Sequence, residues 1–227
     1  MKPALIVLAK EPVAGRVKTR CCPPCTPAQA AALAEAALAD TLAAAAAVPH
    51  VRTVLALDGR PGHWLPAGVD VVRQRGSGLD ERLAAAFDDV GGPAVLVGMD
   101  TPQVTADELQ HAVDRLGDGS VDALLGPSTD GGFWAIGLTR PDRSVFVGVP
   151  MSRPDTGQRQ LGRLHRRGLR VGALPVRTDV DDMATAQRVA SLVPASRFAR
   201  TVRAIRSAIT DAATLQIEAM TMSTFGP

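Results

Sequence analysis

ALIVLAKEPVAGRVKTR, running from Ala4 to Arg20, is the stretch from which the rest of the chain can be read. Its first part, Ala4 to Ala9, is a short unbroken apolar run, as expected of a strand buried on both faces of a parallel sheet. Pro12 and Gly15 forbid regular structure between Lys10 and Val17, and Gly15 permits a turn that a side chain would block. Lys10, Arg16, Lys18 and Arg20 then crowd together with only Glu11 to offset them. Ligands of open α/β sheets bind beyond the carboxyl ends of strands, so a glycine-bearing cationic loop leaving a first strand suits a polyphosphate. It is neither a P-loop, which needs a second glycine, nor a G-x-G-x-x-G turn. The competing reading is a solvated basic loop.

The chain has 227 residues, enough for one large α/β domain with a substantial core. Charged residues make up 21% and the formal net charge is +2, which excludes a field strong enough for sequence-blind nucleic-acid binding. With no Tyr, five Phe and two Trp, stacking platforms for single strands are missing as well. Cys21, Cys22 and Cys25 fall in one CCPPC cluster, and an odd number cannot form a disulfide framework. Reduced structural thiols and a cytoplasmic location are expected. A zinc site would lack a fourth thiolate, and His50 and His63 are distant in sequence. No run is long and apolar enough for a signal-peptide core or a membrane span, so a soluble protein is expected.

Thr26-Pro27-Ala28-Gln29 opens a helix to about Ala47, with Thr26 as N-cap, Pro27 at the first position and Gln29 closing a capping box. Val51 to Leu57, Val69 to Arg73, Ala94 to Gly98, Val121 to Gly126, Phe133 to Leu138 and Arg170 to Leu174 read as further strands. Between them, helices are expected after Gln74 to Leu83, after the cap formed by Thr105 and Glu108, from Pro154 to about Arg167, and from the DVDD run to about Leu192. This alternation predicts a parallel sheet covered on both faces. Phe198, Val202, Ile205 and Ile209 then recur at helical spacing, with Arg197, Arg200, Arg203 and Arg206 on a neighbouring face. The expected division is residues 1–193 as the main domain and 194–227 as an amphipathic helix and tail. That helix is expected to dock on the domain, separably from the chemistry, with a homodimer contact or an anionic surface as alternatives. No pattern is legible from Thr214 onward.

Three further stretches carry chemistry. VLVGMDTP, Val95 to Pro102, delivers Asp100 into a turn at a strand's carboxyl end. DVDD, Asp179 to Asp182, also follows a strand, so one of its aspartates can approach Asp100 across the same crevice. Two carboxylates facing a phosphate site call for a divalent cation between them. Capping of the next helix would occupy one of the DVDD aspartates, but not all three. In LLGPSTDGGFWAIGL, Leu124 to Leu138, the turn Asp130-Gly131-Gly132 leaves backbone bare where a ligand can lie close, although a plain hairpin explains it too.

Taken in order and spacing, AKEPVAGRVKTR, VLVGMDTP, LGPSTDGGFWAIGL and DVDDMATA resemble a bacterial family of domain-of-unknown-function proteins of the glycosyltransferase A-type fold. Some of its members are described as arsenosugar-biosynthesis glycosyltransferases, with phospholactate guanylyltransferases as distant relatives. The resemblance spans roughly Lys2 to Val193. It implies a three-layer α/β sandwich with a mostly parallel mixed sheet, the nucleotide-diphospho-sugar transferase fold. It further implies a nucleotide held by the loop from Ala9 and Lys10 through Gly15, Arg16, Lys18 and Arg20. Gln74, Gly76, Gly78 and Leu79 would lie beside base and sugar. Asp100 stands in for the metal-binding D-x-D, Asp181 is the later metal-side aspartate, and magnesium or manganese is the implied cofactor. Asp130, Gly131 and Gly132 would border the acceptor. The chain departs from the family where Cys21 replaces a leucine, where Phe133 or Trp134 stands for a tyrosine, and in lacking a tryptophan near Met151. These departures bear on the acceptor pocket more than on the nucleotide site.

The expected function is a metal-dependent transferase with a nucleoside-phosphate donor. A nucleotide sugar is favoured, with Lys18 and Asp100 serving the leaving phosphate and Asp130 as general base to a small-molecule acceptor. The alternative is a nucleotidyltransferase joining a nucleoside triphosphate to a small phosphorylated or sugar acceptor and releasing pyrophosphate. The non-enzymatic alternative is a nucleotide-binding regulatory module.

Overall fold

The structure, a computed structural model, describes residues 2–224; Met1 and residues 225–227 of the expected tail lie outside the described residues. Strands β1 (Ala4–Lys10), β2 (Arg52–Asp58), β3 (Asp70–Arg73), β4 (Ala94–Gly98), β5 (Ala123–Pro127), β6 (Phe133–Leu138) and β7 (Val171–Ala173) form one sheet in the order β3-β2-β1-β4-β6-β5-β7. Every neighbouring pair is parallel except the two that involve β6, which runs antiparallel to both β4 and β5. β1 lies inside the sheet, as its unbroken apolar run demands. Leu5, Val7 and Ala9 point to one face, Ala4 and Ile6 to the other, and all five are buried.

Helices α1 (Pro27–Ala46), α2 (Leu79–Val90), α3 (Ala106–Gly117), α4 (Thr156–Arg166), α5 (Met183–Leu192) and α6 (Arg197–Thr224) complete the fold. Leu38 and Leu42 of α1 and Leu109 and Val113 of α3 pack with Leu5, Val7, Leu55 and Val97 on one side of the sheet. Leu83 and Phe87 of α2, Leu164 of α4 and Phe146 meet Ile6, Val54 and Leu96 on the other. The result is the expected three-layer sandwich with a mostly parallel mixed sheet. The capping boxes of Thr26 with Gln29 and of Thr105 with Glu108 both form.

Five strands differ from the sequence reading by one or two residues at their ends because pairing register sets them, and hydropathy does not show register; β4 and β6 match it. β2 runs from Arg52 to Asp58 since these residues pair with Ala4 to Lys10. β5 begins at Ala123, where its pairing with Leu138 of β6 and Val171 of β7 starts.

α6 runs to Thr224, past Thr214 where no pattern was legible. Its apolar stripe, Phe198, Val202 and Ile205, is buried with Leu33 of α1, Met183 and Val189 of α5, and Cys21 and Cys25. The Phe198 N–H also donates to Asp40 Oδ2 of α1 at 2.7 Å. The three thiols are free, and burial pushes that of Cys21 up to about 11, as expected of structural cysteines. Among the described residues no helix is long and apolar enough to cross a membrane.

Candidate active site

Because β6 is the one reversed strand, its beginning and the carboxyl ends of the other strands share one edge of the sheet. A cleft of about 910 Å³ opens along that edge, within the size range of small-ligand sites. Of the residues expected at a site, Ala9, Lys10, Arg16, Lys18, Arg20, Gln74, Leu79, Asp100, Asp130, Gly132 and Asp181 line it. Gly15, Gly76, Gly78 and Gly131 do not, and at the last three neighbouring atoms fill the space that a Cβ would take.

Lys18 lines the cleft, as expected of a residue pointing into the crevice, but it is not free there: its side chain is only 8% exposed and its ammonium lies 2.5 Å from Asp100 Oδ1. The same ammonium donates to the Val180 carbonyl, while the Val180 N–H donates to the Asp100 carbonyl at 2.9 Å. One cation thus ties the β1 loop, the β4 loop and the DVDD segment together. The backbone at Lys18 is left-handed, φ 49° and ψ 34°, a conformation unfavourable for a side-chain-bearing residue and held here by that tie. Replacing Lys18 by Met should therefore cost about 1–2 kcal/mol in urea unfolding, reduced from a fully buried pair because Asp100 is half-exposed, whereas Lys10→Met should cost almost nothing. Equal losses for the two variants would reject the tie.

Lys10 and Arg16 form no salt bridge among the described residues, and Arg20 reaches Asp181 only at 3.8 Å. Their charge faces the cleft unspent. Asp182 caps α5 through the Thr185 N–H at 2.7 Å, which accounts for one of the DVDD aspartates and leaves Asp179 and Asp181.

Asp179 was read only as part of the DVDD run, yet the structure makes it the most perturbed carboxylate. It is largely buried in the cleft wall, accepts from Ser128 Oγ at 3.0 Å, and its other oxygen is buried without a partner. Burial pushes its pKa up to about 7, aided by the charges of Asp100, Asp130 and Asp181, while the Ser128 hydrogen bond opposes the shift. The folded protein therefore holds this proton more tightly than the unfolded chain. Stability in the presence of a chelator should fall as pH climbs from about 4 through about 7. Asp179→Asn should abolish that fall, making the variant more stable than the parent at pH 8 by on the order of 2 kcal/mol and equal to it only below about pH 4. Denaturant titrations at both pH values check this, and an Asp179→Asn protein weaker at pH 8 would contradict it.

Gln74, expected beside the nucleotide, is held by the scaffold. Its amide nitrogen donates to the carbonyls of Ala9, at 2.7 Å, and Ala56, at 2.9 Å, and its oxygen faces Arg82 Nη1 at 3.5 Å. It pins the ends of β1 and β2 at the cleft floor. At the β5–β6 turn, Asp130 Oδ1 accepts from the Gly132 N–H at 2.9 Å. Gly131 has φ 88°, and a Cβ there would run into the Pro154 carbonyl, so packing against residues 150–157 explains this glycine. That segment brings Met151, Ser152, Arg153 and Thr156 to the cleft, none of which sequence patterning singled out as a site residue.

Among the described residues no three His, Cys, Asp or Glu side chains already converge to hold an ion. Asp100 and Asp181 remain candidates: both line the cleft, their donors are hard oxygens, and the unpartnered Asp179 oxygen lies in the same wall. Such a set suits magnesium or manganese.

Sheet order, layering and a cleft at the carboxyl edge define a nucleotide-diphospho-sugar-transferase-like fold of the glycosyltransferase A type. The chain belongs to the bacterial family DUF2064, described as "uncharacterized protein conserved in bacteria", whose model matches residues 30–153, a stretch holding Gln74, Asp100 and Asp130. A Desulfovibrio desulfuricans G20 protein provisionally named a nucleotide-diphospho-sugar transferase is similar at 26% identity and TM-score 0.81, over 93% of this chain and 98% of its own. CMP:2-keto-3-deoxy-manno-octonic acid synthetase, solved with CTP, shares the fold at 13% identity and TM-score 0.55, over 86% of this chain and 99% of its own. Rv0371c of Mycobacterium tuberculosis H37Rv does so at 22% identity and TM-score 0.52, over 83% and 97%. No curated protein matches the sequence.

Proposed function

We propose that the protein is a transferase acting on a nucleoside-phosphate donor, with a nucleotide sugar as that donor. The observation that carries the reading is the charge lining the cleft: Lys10 at the end of β1 and Arg16 on the loop after it, which form no salt bridge among the described residues, together with the carboxylates of Asp100 and Asp181 that face Lys18 and Arg20. The similarity to the Desulfovibrio protein supports it. Lys10, Arg16 and Arg20 bind the diphosphate and stabilise its charge as the leaving group departs. Gln74 fixes the floor, and Leu79, an exposed apolar residue at the start of α2, gives the base or sugar a surface to lie on. Asp100 and Asp181 would hold a divalent cation, which supplies Lewis-acid neutralisation of the phosphates. Asp130, at the hairpin tip, receives the proton of the attacking hydroxyl through its free oxygen.

The same unpaired cations would serve a triphosphate, so nucleotidyl transfer is the second reading. The two break different bonds. In sugar transfer the anomeric carbon leaves its oxygen and a nucleoside diphosphate is released; in nucleotidyl transfer the bond at the α-phosphorus breaks and pyrophosphate is released. Incubation with sugar nucleotides or nucleoside triphosphates, each with manganese or magnesium and a panel of acceptors, should yield a nucleoside diphosphate from a sugar nucleotide. Pyrophosphate from a triphosphate, with no sugar nucleotide consumed, would overturn the first reading in favour of the second.

A further inference from the structure

We infer that the acceptor is a small acid, whose carboxylate or phosphate is gripped by Arg153 on the hairpin side of the cleft; this rests on the transferase reading above. Cations of the cleft are unevenly placed. Lys10 ends β1, Arg16, Lys18 and Arg20 lie on the loop that follows it, and Arg82, on α2, is bound to Asp58 at 3.0 Å. Among the described residues lining the other side, Arg153 is the one lysine or arginine.

Its backbone is fixed. The Arg153 N–H donates to Thr156 Oγ1 at 3.0 Å, and that hydroxyl donates to the Pro150 carbonyl at 3.1 Å. Residues 150–157 are in turn clamped on the hairpin tip, with the Gly157 N–H donating to the Gly131 carbonyl at 2.8 Å. The guanidinium, in contrast, is only loosely paired. Its Nε stands 3.6 Å from Asp155 Oδ1, an ion pair without a hydrogen bond, its side chain is 60% exposed, and Asp155 is held at 2.7 Å by Arg159 through its other oxygen. A guanidinium on a rigid wall presents a planar fork matched to two oxygens of one anion. Half-buried Phe133 and Met151 line the same wall, giving the body of the acid an apolar shelf.

Charge favours the arrangement. With the cations after β1 facing the donor phosphates, Asp100 and Asp181, a second anion is best received beside a cation the donor does not use. Arg153 is separate from the β1 loop and supplies it.

The test uses the full chain, first saturated with the nucleoside diphosphate that binds best so that the β1 loop is occupied. Glycerol 3-phosphate, 3-phosphoglycerate and glycerol are then titrated calorimetrically against the parent, Arg153→Gln and Arg153→Lys. We expect at least one of the two acids, and not glycerol, to bind the parent. Arg153→Gln should lose about tenfold or more of that affinity, the scale of one charge-assisted contact, and Arg153→Lys should recover part of it. Nucleoside diphosphate affinity should stay the same in all three, which shows that the variants fold. Binding of glycerol equal to that of the acids, binding of neither acid, or acid binding indifferent to Arg153→Gln overturns the inference alone. Absence of nucleotide binding in the parent defeats the transferase reading, and the inference falls with it.

Discussion

Asp100→Asn should lower turnover by two to three orders of magnitude, about 3–4 kcal/mol in the barrier, while the protein stays folded. Asparagine keeps an oxygen for the Lys18 ammonium, so the tie between the three loops survives as a neutral hydrogen bond. What is lost is the charge that would hold a divalent cation against the donor phosphates. The assay is a steady-state rate with and without chelator. Chelation should bring the parent down to the level of Asp100→Asn and have little further effect on the variant. A variant that remains as metal-responsive as the parent would remove Asp100 from the cation site.

The largest effect on stability is expected from Gly131→Ala. Alanine meets two separate obstacles there, the left-handed φ of 88° and the Pro154 carbonyl in the space of its Cβ. Left-handed backbone costs a side-chain-bearing residue roughly 1–2 kcal/mol and the collision about 1–3 more, for a total of about 2–5 kcal/mol. In a domain of this size that lowers the melting temperature by roughly 5–15 °C. Gly15→Ala is the internal control, since Gly15 has a φ of 78° with nothing within 4 Å of the added carbon. It should show the backbone part alone. Equal melting temperatures for the two variants in calorimetry would mean that the wall of residues 150–157 yields, and that the hairpin is not clamped.

Much of the fold was legible because its signals are local. A continuous apolar run means a buried strand, two capping boxes mark helix starts, and the spacing of Phe198, Val202 and Ile205 marks a docked helix. Strand register and the pairing of β6 with β4 are long-range facts with no local signature, whereas the hairpin turn at Asp130-Gly131-Gly132 did hint at the reversal of β6 against β5. At the site, the cationic loop and Asp100 stood out since charge beside a strand end is conspicuous in one dimension. The same view does not show that Lys18 is paired, because nothing near it in sequence reveals that Asp100 and the Val180 carbonyl close over its ammonium. It also passed over Asp179, whose pKa comes from burial beside three other carboxylates, and Arg153, which sits between two prolines in a stretch without periodicity. The glycines failed in the opposite direction. Gly76, Gly78 and Gly131 look like ligand-facing backbone in sequence, but their own neighbours fill the space a Cβ would take.

The β1 loop ends in Cys21 and Cys25, and these are covered by Phe198 and Val202 of α6, almost the whole length of the chain away. During synthesis the loop emerges well before α5 and α6, so for much of translation its apolar underside rests on α1 alone. The contact with α6 is a late, long-range one, and local unfolding of that helix would uncover Cys21 and Cys25 from that side first.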